Sequence, residues 1–135
     1  MAVLRQISVF LENVPGRLAT LCNTLESHGV DLRAMATSEG SEYGVVRLIV
    51  NDVEAGEAAL RAANLPFSTV DVLATELIDE PGAIGKVAVR LADEGINVEY
   101  AYATAASGGQ TSALCIFKVA NPRDADATLQ SVESA

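Results

Sequence analysis

A proline-glycine pair stands at Pro15-Gly16 and again at Pro81-Gly82, 66 residues later, and the residues flanking the first recur around the second. In the first copy Ile7-Ser8-Val9-Phe10-Leu11 leads into Glu12-Asn13-Val14-Pro15-Gly16-Arg17-Leu18, then a helical stretch to His28-Gly29, then Val30-Asp31-Leu32. In the second, Ala74-Thr75-Glu76-Leu77-Ile78 leads into Asp79-Glu80-Pro81-Gly82-Ala83-Ile84, then a helical stretch to Glu94-Gly95, then Ile96-Asn97-Val98. A tandem repeat of strand, polar turn and helix obliges both halves to take the same fold. It also duplicates any binding place formed at the turn.

The sequence carries local signals for each element. Gln6 to Leu11 is β-rich and apolar; Pro15, with its fixed φ and no amide hydrogen, suits a helix start. Leu18, Leu21, Cys22 and Leu25 fall at i, i+3, i+4 and i+7, which predicts one buried helical face, and Gly29 closes that helix. Leu32 to Thr37 and Tyr43 to Val50 read as strands, and Asn51 or Asp52 caps a helix to about Ala63 with Ala55, Ala58, Ala59 and Ala62 as its small face. Phe67 to Ile78 serves as the last strand of one copy and the first of the next, with no linker between them. In the second copy Ile84, Val87, Ala88 and Leu91 repeat the helical face. Val98 to Ala105 and Leu114 to Val119 follow as strands, and a helix runs from Pro122 to about Val132. Ser107-Gly108-Gly109-Gln110 reads as a hairpin turn.

The order βαββαβ is the split βαβ, or ferredoxin-like, sandwich: an α+β fold with an antiparallel sheet and both helices on one face. Two such units are expected, residues 1–72 and 73–135, the second lacking its last strand because the sequence stops after its second helix. That sheet requires a strand from elsewhere or leaves an open edge, which with the exposed second-strand edges at Leu32–Thr37 and Val98–Ala105 predicts a homodimer.

Composition narrows the function. With 135 residues, half of them apolar, the chain has material for a core without staples. Eighteen acidic residues against nine Lys and Arg give a net charge of −9, which repels phosphate backbones and anionic lipid, so neither a nucleic-acid nor a membrane partner is expected. No apolar run reaches the roughly 20 residues of a membrane span, and Met1 to Phe10 lacks a signal peptide's apolar region, so the expected location is cytoplasmic. Cys22 and Cys115 read as buried reduced thiols, His28 as a partner of a helix C-terminus, and Glu39 and Glu42 as solvated loop charges. No nucleophile and base, metal cluster or cofactor loop emerges, so neither catalysis nor a cofactor is expected.

The two turns hold the chemistry. A helix start presents unpaired N–H groups and a positive dipole, so main chain alone can hold a carboxylate there, and Gly16 and Gly82 place no Cβ in its way. Asn13 and Asp79 precede each Pro by two residues, and Asp31 and Asn97 follow each helix-ending Gly by two. If each pair converges, it can take the ammonium of a ligand whose carboxylate rests on the turn: a free α-amino acid. The same residues also suit plain helix and turn caps, and both accounts stay open on the residues alone.

The runs Ile7 to Leu18, Gly29-Val30-Asp31-Leu32-Arg33-Ala34 and Tyr43 to Val50 resemble the ACT domain, specifically small bacterial proteins made of two ACT domains. Glu80-Pro81-Gly82-Ala83-Ile84 with Glu94 to Tyr100 resembles their second half, and the similarity covers Arg5 to Leu129. The resemblance implies an amino-acid-binding regulatory module that acts on a separate enzyme, with the ligand often held at a junction between two domains. Carried onto this sequence, the implied binding positions are Asn13, Val14, Pro15, Gly16, Arg17, Leu18 and Asp31 in the first copy. In the second they are Asp79, Pro81, Gly82, Ala83, Ile84 and Asn97. Ala34, Met35, Ala36, Tyr100, Ala101 and Tyr102 are expected along the side-chain space. A purely structural pairing module is the alternative.

Overall fold

The computed structural model describes residues 1–38, 40, 42–78, 80–104 and 112–134; Asp79 and the Ser107–Gln110 turn lie outside them. The elements are β1 (Ala2–Glu12), α1 (Arg17–Ser27), β2 (Leu32–Ser38), β3 (Tyr43–Val50), α2 (Val53–Ala62), β4 (Phe67–Ile78), α3 (Ala83–Asp93), β5 (Tyr100–Ala103), β6 (Ser112–Lys118) and α4 (Pro122–Ser134). The α+β class and the repeated ferredoxin-like order hold. Two compact units divide the chain: Arg5–Val70, and Met1–Leu4 together with Asp71–Ala135.

In the Arg5–Val70 unit the strands lie in the order β2-β3-β1-β4. β1 and β3 are antiparallel with Ile7 opposite Leu48 and Val9 opposite Val46, and β2 and β3 are antiparallel with Met35 opposite Leu48. Alternation puts Ile7, Val9 and Leu11 of β1 with Val46, Leu48 and Val50 of β3 into one core, where they meet Leu21 and Leu25 of α1 and Ala59 and Leu60 of α2. Asp52 caps α2 by accepting the Ala55 N–H at 3.1 Å.

The other unit repeats that order as β1-β4-β6-β5, with Met1–Leu4 as its part of β1. Leu73 of β4 faces Phe117 of β6, and Tyr102 of β5 faces Ile116. The core joins Leu73, Val87, Leu91, Cys115, Phe117 and Leu129, with Met1 and Val3 packed against it. Among the described residues no strand follows α4. The chain's first residues stand in the fourth strand's place.

Three helical expectations change. Leu21 and Leu25 are buried as expected, but Leu18 is 42% exposed, and in α3 Val87 and Leu91 are buried while Ile84 is 50% exposed. Both residues sit in the first turn of their helix. In α2 the buried face is Gly56, Ala59 and Leu60, while Ala58 and Ala62 are exposed, because Leu60 brings more apolar area to the core than any alanine. Cys22 is only partly buried; Cys115 is buried, and desolvation pushes its thiol up, disfavouring the thiolate. His28 caps α1 as expected, its Nδ1 lying 2.9 Å from the Thr24 carbonyl, which requires the proton on that nitrogen. Among the described residues no helix is long and apolar enough to cross a membrane.

Candidate functional site

Both Pro-Gly turns have one geometry. The Val14 N–H donates to the Glu12 carbonyl and the Glu80 N–H to that of Ile78, each at 2.9 Å. Gly16 and Gly82 then take φ of +89° and +88° as the N-caps of α1 and α3. A Cβ added to either would meet nothing of the protein within 4 Å, so within the fold it is the left-handed backbone that requires glycine there. A glycine N-cap brings no side-chain acceptor to α1 or α3, and among the described residues neither has an acidic residue in its first turn. Their first N–H groups thus lack the side-chain acceptor that Asp52 gives α2.

Asn13 therefore does not cap α1. Its Nδ2 donates to the Gly40 carbonyl at 3.0 Å and its N–H to the Glu42 carbonyl at 2.7 Å, tying the β1–α1 turn to the loop between β2 and β3. Beside this tie a cleft of about 760 Å³ opens between the start of α1 and the end of the sheet, within the size range of small-molecule pockets. Asn13, Val14, Arg17 and Leu18 line one side, Thr37, Ser38, Gly40 and Gly44 the other, and Leu11, Val45 and Val46 are apolar lining. Arg17 reaches Glu12 at 3.8 Å, both about half exposed.

The Asn13 and Asp31 positions do not converge within this unit. Glu12 pairs with Tyr43 at one end of β3 and Leu32 with Val50 at the other, seven residues or about 23 Å along an extended strand. α1, eleven residues and about 16 Å long, separates the two polar positions. A β–α–β crossover must return the chain to the opposite end before β2 begins. Asp31 instead pairs with Asn51, donating its N–H to Oδ1 at 2.9 Å and accepting the Asn51 N–H at 3.1 Å.

The corresponding position of the second copy, Asn97, lines a cleft of about 490 Å³ with Glu94, Gly95, Asn121 and Asp124. Ala120 stands two residues before α4, where Asn51 stands two before α2, so the second copy has no counterpart of the Asn51 amide that accepts the Asp31 N–H. Pro81, Gly82, Ala83 and Ile84 form the second turn and helix start, while Asp79 lies outside the described residues. Ala34 is buried, and Thr37 and Ser38, not Met35 and Ala36, meet the first cleft. Sequence reasoning missed Glu12, Thr37, Ser38 and Gly40. Only Glu12 was signalled, by its place beside Asn13; the others depend on the β2–β3 register.

The profile of the ACT domain pair family matches residues 1–131. Protein BT0572 from Bacteroides thetaiotaomicron superposes with a TM-score of 0.87 at 29% identity, over 97% of this chain and 89% of that one. The ligand-free regulatory subunit of aspartate kinase from Thermus thermophilus gives 0.66 at 16% identity, covering 99% and 97%. The same subunit from Thermus flavus gives 0.63 at 16%, covering 98% and 94%. Among curated proteins no sequence matches the chain.

Proposed function

Since the chain belongs to the ACT domain family, as a domain pair along nearly its whole length, we propose that it is a non-catalytic regulator that binds a free amino acid beside Asn13 and so modulates a separate enzyme of amino-acid metabolism. The observation that carries this is the cleft of about 760 Å³ at the uncapped start of α1. A ligand carboxylate meets main-chain donors and the positive end of the helix dipole there. The Asn13 carbonyl oxygen, whose amide partner Nδ2 is spent on Gly40, accepts from the ligand's ammonium. Likeness in fold to regulatory subunits of aspartate kinase supports a regulatory role.

Occupancy acts by favouring whichever arrangement binds the ligand better, a coupling of typically about 1–3 kcal/mol. Screening the twenty amino acids by thermal shift tests the binding. A ligand at 100 times its Kd adds about 2.7 kcal/mol to the folded state, and Asn13→Ala removes most of that shift while the apo protein stays folded. No shift with any amino acid at millimolar concentration leaves a structural pairing module instead.

Homodimerisation belongs to the same proposal. β2 and β5 are outermost in their units' strand orders, and Met35 on β2 is 42% exposed. Such edges pair with a symmetry mate. The dimer also resolves the separation of Asn13 from Asp31, because a mate can supply one of the two residue types to a ligand held by the other. Sedimentation at tens of micromolar is expected to give a dimer; a monomer refutes it.

A further inference from the structure

We propose that Arg17 and Glu12 make the first-copy cleft a receptor for the two charges of a zwitterionic amino acid with an aliphatic side chain, and that the chain binds one such molecule and not two. This rests on the amino-acid reading of the cleft and adds which residues select the ligand, and which ligand.

The charges are present in one copy only. Glu12 and Arg17 lie 3.8 Å apart at the cleft, at the outer limit of an ion pair and with both side chains nearly half exposed. So loose and solvated a pair contributes little to folding. Its members are therefore available to exchange partners: the Arg17 guanidinium takes the ligand carboxylate in a bidentate pair, and the Glu12 carboxylate takes the ammonium. Arg17 opens α1, so the helix dipole favours the carboxylate on the same side. In the second copy the residues 66 positions on are Ile78 and Ala83. That turn has the same backbone, yet it holds neither charge, and Glu80 takes the place of Val14. A carboxylate there has no counterpart of Arg17 to meet, and Asp79 and Glu80 add two acidic residues where the first copy has Asn13 and Val14. Equal backbones with unequal charges make the repeat functionally asymmetric.

The side-chain class follows from what lines the first cleft beyond the two charges. Leu11 and Val46 are buried, and with Val45, Val14 and Leu18 they give an apolar wall. Its neutral polar groups are the Asn13 amide and the hydroxyls of Thr37 and Ser38, and Ser38 Oγ lies 3.5 Å from the Val45 carbonyl. Among the described lining residues only Glu12 and Arg17 are charged, so with those two engaged a charged ligand side chain would lose hydration against that wall, whereas an aliphatic one gains by burial.

Calorimetric titration of the full chain with L-valine, L-leucine and L-isoleucine tests this, together with 3-methylbutan-1-amine and 4-methylpentanoate, which are leucine without its carboxylate and without its ammonium. The expected result is one branched amino acid bound per chain, at least tenfold weaker binding of L-lysine and L-aspartate, and at least tenfold weaker binding of leucine's two analogues than of leucine. Arg17→Ala is expected to weaken the amino acid at least tenfold while leaving the amine unaffected. Glu12→Gln should weaken the amino acid but not the carboxylate analogue, a crossed pattern that a general loss of structure cannot give. Two equal sites per chain, or variants that bind as the parent does, overturn the inference. If Asn13→Ala abolishes binding and Arg17→Ala does not, the amino-acid function stands and this inference alone falls. If no amino acid binds, the functional reading has failed and takes the inference with it.

Discussion

A chain beginning at Arg5 is expected to lose the fold of its second unit. Met1 and Val3 pack on the core that holds Leu73, Leu91 and Phe117, and Met1–Leu4 provides the strand next to β4 in that unit. Losing two partly buried apolar side chains costs roughly 3 kcal/mol at about 1.5 kcal/mol each, before any ladder hydrogen bonds are counted. That is a large share of a small domain's stability of about 5–15 kcal/mol. Hydrogen exchange would register it as lost protection in β6 (Ser112–Lys118) and in the Asp71–Ile78 part of β4. Appending Met-Ala-Val-Leu after Ala135 of the shortened chain restores the strand from the other terminus and should recover part of the protection. Full protection in the shortened chain without that addition would show that the N-terminal strand is dispensable.

The second large effect separates residues that helical periodicity placed on one face. Leu21→Ala and Leu91→Ala are each expected to destabilise by about 2–5 kcal/mol, since both side chains are fully buried and leave cavities in close-packed cores. Leu18→Ala and Ile84→Ala, at 42% and 50% exposure, should stay within about 0.5 kcal/mol. Urea denaturation of the four variants measures the contrast. Equal losses at all four positions would mean that Leu18 and Ile84 are buried in solution, and the cleft beside Leu18 would then be covered.

The candidate site was legible in the sequence in its parts and not in its assembly. The two Pro-Gly turns, the helix starts after them and Asn13 before the first Pro stood where the repeat put them, since each depends on backbone preferences within a few residues. What failed was the convergence of Asn13 on Asp31. Asn13 precedes α1 and Asp31 follows it, so the helix itself puts them at opposite ends, and the crossover holds the two apart. Nor does the sequence disclose Thr37, Ser38 and Gly40 as lining: they reach the cleft through their pairing with β3 and the Asn13 tie, both long-range contacts.

By itself the sequence determined the repeat, the element order, the continuous β4 and the ferredoxin-like class, because period-2 and period-3.6 patterns and their glycine and proline stops are local signals. It also determined the charge difference between the two turns, which is a matter of residue identity at a fixed spacing. Only the tertiary structure decided that Met1–Leu4 fills the fourth-strand place of the second unit, as Val3, Ile7, Val9 and Leu11 alternate alike and nothing local tells which core each will join. It alone decided that Leu18 and Ile84 stay in solvent and that Asn13 serves a loop and not a helix cap. Helical periodicity fixes the direction in which a side chain points, but burial depends on whether the sheet extends beneath it.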